Sequence, residues 1–175
     1  MTEQELIAGC KAQDRKAQKR LYDVYAPKML GVCRRYVGSR EDAEDVLVEG
    51  LYKVMDRIEQ YGGGGSFEGW IRRIMVNESL MFLRKQRILV IELETEMNSL
   101  EHSAPVTIEH ELAVADILKL LERLPIGYRT VFNLYVIEGY KHIEIADLLG
   151  ISIHTSKSQL VLAKERMRKI IVNSE

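Results

Sequence analysis

The stretch Glu138–Arg168 reads EGYKHIEIADLLGISIHTSKSQLVLAKERMR, and its pattern predicts two helices joined by a short turn. Before the turn, apolar residues recur at about the 3.6-residue period of a helix: Ile143, Ile145, Ala146, Leu148 and Leu149. Gly150 is typical of the left-handed residue that ends a helix, and Ser152 is a good cap for the next one. The second helix is predicted to bury a similar face: Ile153, Leu160, Ala163, Met167 and Ile170. These features together predict a helix-turn-helix.

In a helix-turn-helix, the start of the second helix enters the major groove of DNA. Polar residues that can hydrogen-bond to bases or phosphates are expected to be exposed there: His154, Thr155, Lys157, Ser158 and Gln159. The alternative is an αα-hairpin inside a larger bundle, in which the same side chains are only solvated. This stretch alone leaves both interpretations open.

The composition gives no general argument for nucleic-acid binding. The 175 residues include 25 Lys and Arg against 26 Asp and Glu, so any basic surface must be local. No apolar run reaches the roughly 18 residues of a membrane span, and the N-terminus lacks a signal core, so a cytoplasmic protein is expected. Cys10 and Cys33 show no CxxC spacing and the four histidines show no ligand spacing, so neither a metal site nor a cofactor is predicted.

The rest of the chain also shows helical periodicity, with no strand alternation long enough to predict a sheet. Helices are predicted over 3–13, 15–37, 40–61, 67–86, 107–124 and 128–137, and Pro27 is expected to bend or restart the second. Between Ile88 and Leu112 there is no lysine or arginine, whereas glutamates are frequent. We therefore predict an all-α protein with two small helical domains, 1–87 and 108–175. A flexible acidic linker, 88–107, joins them, and the C-terminal domain contains the helix-turn-helix.

Two segments outside the helix-turn-helix carry concentrated charge. Acidic residues cluster at the start of the third helix: Glu41, Asp42, Glu44, Asp45 and Glu49. The helix dipole favours some of them there, and an acidic face for a basic partner is the other interpretation. The helix after the Gly62–Gly65 run is instead rich in arginine, and the helix predicted over 153–169 is also basic. Two basic helices therefore lie in different domains. That layout suits a protein that contacts DNA at two places.

Catalytic motifs are absent from the sequence. There is no GxSxG, GxxxxGK[ST] or HExxH, so no enzyme is predicted. The run Gly62–Gly65 lies between helices and lacks the strand and the lysine of a phosphate-binding loop. A mobile loop that can adapt to a ligand is the better interpretation, with Ser66 capping the next helix. Trp70 is predicted to lie in the core, in phase with Ile74 and Met75.

Two long stretches resemble a known family. The segment 42–87, DAEDVLVEGLYKVMDRIEQYGGGGSFEGWIRRIMVNESLMFLRKQR, is similar to the second conserved region of extracytoplasmic-function RNA polymerase sigma factors, in the sigma-70 family. The segment 124–169, LPIGYRTVFNLYVIEGYKHIEIADLLGISIHTSKSQLVLAKERMRK, resembles their fourth region. The resemblance implies a protein that binds core RNA polymerase, directs promoter recognition and duplex opening, and so initiates transcription as a monomeric subunit.

The resemblance also implies residue roles. Contact with the coiled coil of the polymerase β′ subunit falls to four acidic residues: Asp42, Glu44, Asp45 and Glu49. Capture of the melted −10 element falls to a second set: Tyr61, Ser66, Arg72, Arg73, Asn77 and Arg84. Recognition of the −35 element falls to the helix-turn-helix residues His154, Thr155, Lys157, Ser158 and Gln159. Further implied partners are the polymerase β subunit and an anti-sigma factor.

The sequence departs from the family at several of these positions. Val48 stands where a glutamine is frequent, Ser156 where a buried valine is expected, and Gln159 where an arginine is usual. A serine at that position of a helix can bond back to a carbonyl one turn earlier. A stand-alone helix-turn-helix regulator and a regulatory protein–protein module therefore remain as alternative functions.

Overall fold

The computed structural model describes residues 1–86 and 114–173, which are helical with no strand. The chain divides into two compact units, Met1–Lys85 and Gln86–Glu175. The predicted all-α, two-domain class is therefore confirmed. The predicted linker, 88–107, lies outside the described residues, so its bounds stay a prediction. Among the helices of the described ranges, none has the length and apolar character needed to cross a bilayer.

The N-terminal unit is built on three long helices that pack on one another. The unit contains α1 (Glu3–Lys11), α2 (Arg15–Val37), α3 (Arg40–Asp56), a 3-10 helix (Ile58–Gln60) and α4 (Phe67–Lys85). Contacts join α2, α3 and α4 in all three pairs, and α1 lies against α2. The largest fully buried side chains of the unit form one core: Leu21, Met29, Tyr36, Phe67, Ile71, Met75, Leu80 and Leu83. Thr2, Asp14 and Ser39 cap the first three helices through their side-chain oxygens.

Two helix boundaries in this unit differ from the sequence prediction. The second helix runs through Pro27 without restarting, because buried residues on both sides, Ala26 and Met29, hold it against the core. The third helix ends at Asp56 rather than near Tyr61, and a 3-10 helix follows. Since the buried Ile58 lies in this 3-10 turn, the change of helix type lets one apolar side chain remain in the core.

The other helices of the C-terminal unit pack against its last helix. Its described elements are α5 (Val114–Glu122), α6 (Ile126–Phe132), a π-helical segment (Asn133–Ile137), α7 (His142–Leu149) and α8 (Ile153–Val172). Helix α8 contacts α5, α6 and α7. The predicted helix over 128–137 is thus an α-helix that widens, with the Glu138 N–H donating to the Asn133 carbonyl oxygen at 2.9 Å. The first turns of the helix predicted over 107–124 lie outside the described residues.

The helix-turn-helix forms as predicted, with two exceptions on its apolar faces. Gly150 ends α7 in the left-handed conformation, at φ 67°, and the Ser152 Oγ accepts the Thr155 N–H at 2.9 Å. However, Ile143 and Ile153 are exposed, at 55% and 42%. Both lie in the first turn of their helices, where Ile145 or the later residues of α8 already fill the core.

A pair of glycines allows the α1–α2 packing to be tested. A Cβ on Gly9 would lie 2.6 Å from the Cβ of Ala17, whereas a Cβ on Gly31 would meet nothing within 4 Å. We expect Gly9→Ala to lower the free energy of unfolding by about 1–3 kcal/mol through overpacking. The matched Gly31→Ala should raise it by about 0.5–1 kcal/mol, because alanine is the better helix former.

Denaturant unfolding followed by tryptophan fluorescence measures both changes. Trp70 is the single tryptophan of the chain and lies in the N-terminal unit, so its signal reports on that unit. Equal effects of the two substitutions would contradict the close approach of α1 to α2.

Candidate nucleic-acid interface

An aromatic cluster lies at the start of α4. The ring of Phe67 is fully buried, and Tyr25 meets it edge-on at a centroid distance of 5.6 Å. Trp70 stacks on the same ring at 5.9 Å, with 14° between the planes, and Tyr61 lies 5.0 Å from it. Since Tyr61 and Trp70 are only half-buried, the prediction that Trp70 belongs to the core is wrong in part. The buried ring of Phe67 instead supports two accessible aromatic rings.

These two rings border an open cavity of about 330 Å³ beside the glycine loop. The cavity is lined by Tyr61, Gly62, Gly64, Gly65, Ser66, Gly69, Trp70 and Arg73. The loop is anchored at both ends, because the Tyr61 hydroxyl donates to the Gly65 carbonyl oxygen and the Ser66 Oγ accepts the Gly69 N–H. The glycines leave this side of the cavity free of side chains. A planar base can therefore approach the rings, and base–aromatic stacking is the usual basis of single-strand binding.

The polar residues of α4 form a face that begins at this cavity. Arg73, Asn77 and Arg84 are exposed and lie within about 40° of one another around the helix. Arg72 is half-buried and lies about 100° from Arg73, so it is not on this face. The structure thus brings Tyr61, Ser66 and Arg73 together at the cavity and aligns Asn77 and Arg84 along the helix beyond it.

The acidic residues of α3 do not form one stripe. Asp45 and Glu49 are exposed and share a helical face, whereas Asp42 is half-buried and Glu44 pairs with Arg40 at 2.8 Å. Two apolar residues lie on the same face as the first pair and are also exposed, Val48 at 62% and Tyr52 at 65%. The predicted contact set includes neither of them, although the i, i+3, i+4, i+7 spacing from Asp45 identifies the stripe.

The same helix carries a lysine that is engaged within the protein. The Lys53 Nζ donates to a Glu78 carboxylate oxygen at 2.7 Å and also lies 3.7 Å from Glu49. Both Lys53 and Glu78 are partly buried, so this ion pair joins α3 to α4.

Helix α8 exposes only part of the set of residues predicted to contact the −35 element. His154 and Lys157 are exposed and Ser158 is half-buried, but Thr155 and Gln159 are 3% and 1% exposed. The expectation that these two face solvent is wrong. They lie on the stripe of α8 that also carries the buried residues Ser156, Leu160 and Ala163, which faces the rest of the unit.

The buried polar residues of this helix have distinct surroundings. The Thr155 Oγ1 lies 2.9 Å from the Ser152 Oγ, so it belongs to the helix cap. The Gln159 Oε1 is buried, with no hydrogen-bond partner in the described part of the chain. The Ser156 Oγ forms a 2.9 Å hydrogen bond with His142 Nδ1 on α7, rather than bonding back to a carbonyl. The His142 ring also stacks on Tyr135, at 4.3 Å and 18° between planes.

Comparison with known proteins assigns the two units. Residues 21–88 match the family model Sigma-70 region 2, and residues 115–167 match Sigma-70, region 4. RNA polymerase sigma factor SigV of Bacillus subtilis is 31% identical over 76% of this chain and 78% of its own length. The chain belongs to the sigma-70 family, in its extracytoplasmic-function group. It is an RNA polymerase sigma factor.

Other relatives cover nearly the whole sigma factor. The ECF RNA polymerase sigma-E factor of Haemophilus influenzae is 28% identical over 98% of this chain and 96% of its own length. Among solved structures, the Bartonella quintana sigma factor RpoE in complex with the anti-sigma factor NepR matches with a TM-score of 0.53. That match has 21% identity and covers 87% of this chain and 95% of the other, so it supports the fold.

The part of this sigma factor that the structure describes contains no group of side chains suited to a metal ion. Within 1–86 and 114–173, no three His, Cys, Asp or Glu side chains are placed to hold a metal ion.

The surroundings of His142 predict a pH dependence of stability. Burial, followed by the charges of Lys157 and Lys164, lowers the pKa of His142 below its ordinary value of 6.5. His142 is therefore protonated more readily in the unfolded chain than in the folded chain, and acid favours unfolding. The free energy of opening α7 and α8 should fall as pH decreases through the ordinary histidine range, from about 7.5 to about 5.5.

Amide hydrogen exchange of the full chain measures this slope. His142→Asn removes the titrating group and should flatten the pH dependence in α7 and α8. An unchanged slope in His142→Asn would show that other groups cause it.

Proposed function

We propose that this sigma factor captures the −10 element as a melted strand in the cavity between Tyr61, Trp70 and Arg73. The observation that carries the proposal is the pair of accessible aromatic rings supported by buried Phe67, next to a loop without side chains. Stacking on such rings requires an unpaired base, so binding there favours the separated strand over the duplex. Arg73, Asn77 and Arg84 then follow the phosphate backbone along α4.

The stripe on α3 is the proposed contact with core RNA polymerase. Asp45 and Glu49 supply negative charge for the basic residues of the β′ coiled coil, and Val48 and Tyr52 supply apolar area between them. Interfaces commonly combine apolar anchors with a charged rim, because the charges steer association while the apolar contacts hold the complex. Asp42 is half-buried and lies at the edge of this stripe, whereas Glu44 lies about 100° from Asp45 around the helix and is off it.

The −35 element is proposed to be read by His154, Lys157 and Ser158 at the start of α8. Thr155 and Gln159, which the resemblance also implicated, are buried and support the helix from within. Three side chains reaching base edges is the usual number for such a helix. The promoter preference therefore depends on a smaller set than the sequence implies.

Further partners follow from the family. We propose that the chain contacts the β subunit as well as β′, acts in the cytoplasm where the polymerase works, and catalyses no reaction itself. An anti-sigma factor is also proposed as a partner, since the Bartonella quintana relative was solved with one.

Transcription with purified core RNA polymerase tests the proposed function directly. Promoter-directed transcripts should appear only when this protein is added, and the holoenzyme should contain one copy of it. A stand-alone regulator would instead bind a palindrome as a dimer without joining the polymerase. A protein–protein module would join the polymerase without giving promoter-directed transcripts.

Charge reversal on α3 should abolish polymerase binding. Asp45→Lys with Glu49→Lys places like charges against a basic coiled coil, and we expect at least a hundredfold loss of affinity, or about 3 kcal/mol. Both residues are exposed, so folding should change by no more than about 0.5 kcal/mol.

Competition binding to core polymerase checks this prediction. Glu59→Lys is the control, because it makes the same change of charge at an exposed residue outside the stripe. Glu59 lies 3.8 Å from Lys11. Comparable losses in the control and at the stripe would argue for a general charge effect.

Replacement of Arg73 and Asn77 should impair promoter opening more than polymerase binding. Arg73→Ala with Asn77→Ala removes contacts expected only with the melted strand, so open complexes should decrease about tenfold to a hundredfold at equal holoenzyme concentration. Potassium permanganate reactivity of unpaired thymines in the −10 region measures the open fraction.

Arg34→Ala is the control for lost charge. Arg34 is an exposed arginine on α2, away from the cavity lining, and its loss should leave opening unchanged. A parallel loss of opening and polymerase binding in the double variant would contradict the proposed division between α3 and α4.

A further inference from the structure

The contact between His142 and Ser156 joins three elements of the C-terminal unit. Ser156 is completely buried on α8, and its Oγ lies 2.9 Å from Nδ1 of His142, the first residue of α7. The imidazole ring of His142 also stacks on Tyr135 of the π-helical segment, at a centroid distance of 4.3 Å. One histidine therefore connects the helix before the turn, the helix after it and the segment that precedes both.

A hydrogen bond constrains this contact more tightly than apolar packing does. An apolar pair of similar size tolerates sliding and rotation, whereas a hydrogen bond weakens steeply outside about 2.7–3.2 Å. A buried hydroxyl also needs its partner, because it has given up its hydrogen bonds to bulk water on folding. The bond between Ser156 and His142 therefore fixes the rotation of α8 about its own axis relative to α7.

That rotation determines where the exposed side chains of α8 point. Lys157 and Ser158 directly follow Ser156, so they turn with it. A rotation of about 10° moves an atom about 6 Å from the helix axis by about 1 Å. Such a shift is enough to take a hydrogen bond to a base edge out of range.

We propose that His142 and Ser156 are positioning residues for promoter recognition, with Tyr135 holding the imidazole in place. Their hydrogen bond sets the rotation of α8 and thereby the register of Lys157 and Ser158 on the bases of the −35 element. This inference rests on the proposed function of the C-terminal unit. Phosphate contacts tolerate small shifts and base contacts do not, so loss of the bond should reduce sequence discrimination more than overall affinity.

The test compares discrimination by variant holoenzymes. Core polymerase with the full chain is presented with promoter duplexes randomised across the −35 element, and the ratio of affinities for the preferred and scrambled elements is measured. Ser156→Ala removes the hydroxyl, and His142→Phe retains a ring against Tyr135 but removes Nδ1. Each should lower the ratio about five- to tenfold, as expected when a base contact is lost. Ser156→Thr and His142→Asn keep a hydrogen-bonding group and should restore most of it.

A matched control separates positioning from stability. Ser79 is also a completely buried serine, and its Oγ donates to the Met75 carbonyl oxygen at 2.8 Å, but it lies on α4 in the other unit. Ser79→Ala should leave the ratio unchanged. Circular dichroism establishes that each variant is folded; if Ser156→Ala is not, His142→Phe decides the outcome.

The outcomes distinguish this inference from the proposed function beneath it. A wild-type holoenzyme that prefers no −35 sequence overturns both. If the wild-type holoenzyme has a preference, and the folded Ser156→Ala and His142→Phe variants retain it within about twofold, only the positioning role is overturned. An equal loss of affinity for preferred and scrambled elements also overturns it. That result would indicate a destabilised C-terminal unit rather than a displacement of Lys157 and Ser158 relative to the bases.

Discussion

The buried ring of Phe67 is the contact on which the candidate −10 site depends. It is the first residue of α4 and is fully buried, so the core of the N-terminal unit extends to the rings of Tyr61 and Trp70, which line the cavity. Tyr25 of α2 meets it edge-on, and the half-buried rings of Trp70 and Tyr61 also pack on it. A stacking surface made of mobile rings would lose entropy on binding each base. Here the rings are placed by the core, so that cost is met during folding.

The C-terminal unit is organised by a different kind of contact. Its interior contains several buried polar residues: Arg129, Thr130, Asn133, Thr155, Ser156 and Gln159. Among them, Thr155 forms a side-chain hydrogen bond with Ser152, and Ser156 forms one with His142. In the described part of the N-terminal unit, the buried polar residue is Ser79, which bonds within its own helix. Apolar cores resist changes in volume, whereas buried polar groups resist changes in orientation, because hydrogen bonds are directional. Under the proposed recognition of the −35 element, the C-terminal unit would present a few side chains at base-pair accuracy and would benefit from the second kind of constraint.

The sequence predicts the helices well because local signals determine where they begin and end. Gly150, Ser152 and Ser66 are the predicted stop and caps, and each makes the expected backbone geometry or hydrogen bond. Which side of a helix is buried is harder to predict wherever polar residues lie in the core. By residue type Thr155 and Gln159 are predicted to face solvent, yet the tertiary contacts of α8 place them inside. Residue type also does not predict the exposure of Val48 and Tyr52, because apolar and aromatic side chains are more often buried; their helical register relative to Asp45 identifies it.

The near-neutral net charge conceals two surfaces of opposite sign in one unit. The stripe of α3 with Asp45 and Glu49 is acidic, and the face of α4 with Arg73 and Arg84 is basic. The Lys53–Glu78 ion pair, at 2.7 Å, joins these two helices and neutralises on each the charge of opposite sign. It therefore keeps a cation of α3 and an acid of α4 engaged with each other rather than with an outside partner. Because screening limits charge effects to about 10 Å, separated faces of one small domain can attract a basic protein and a nucleic acid independently. Under the proposed function, this separation of charge, rather than any excess of it, would let a neutral chain bridge polymerase and promoter.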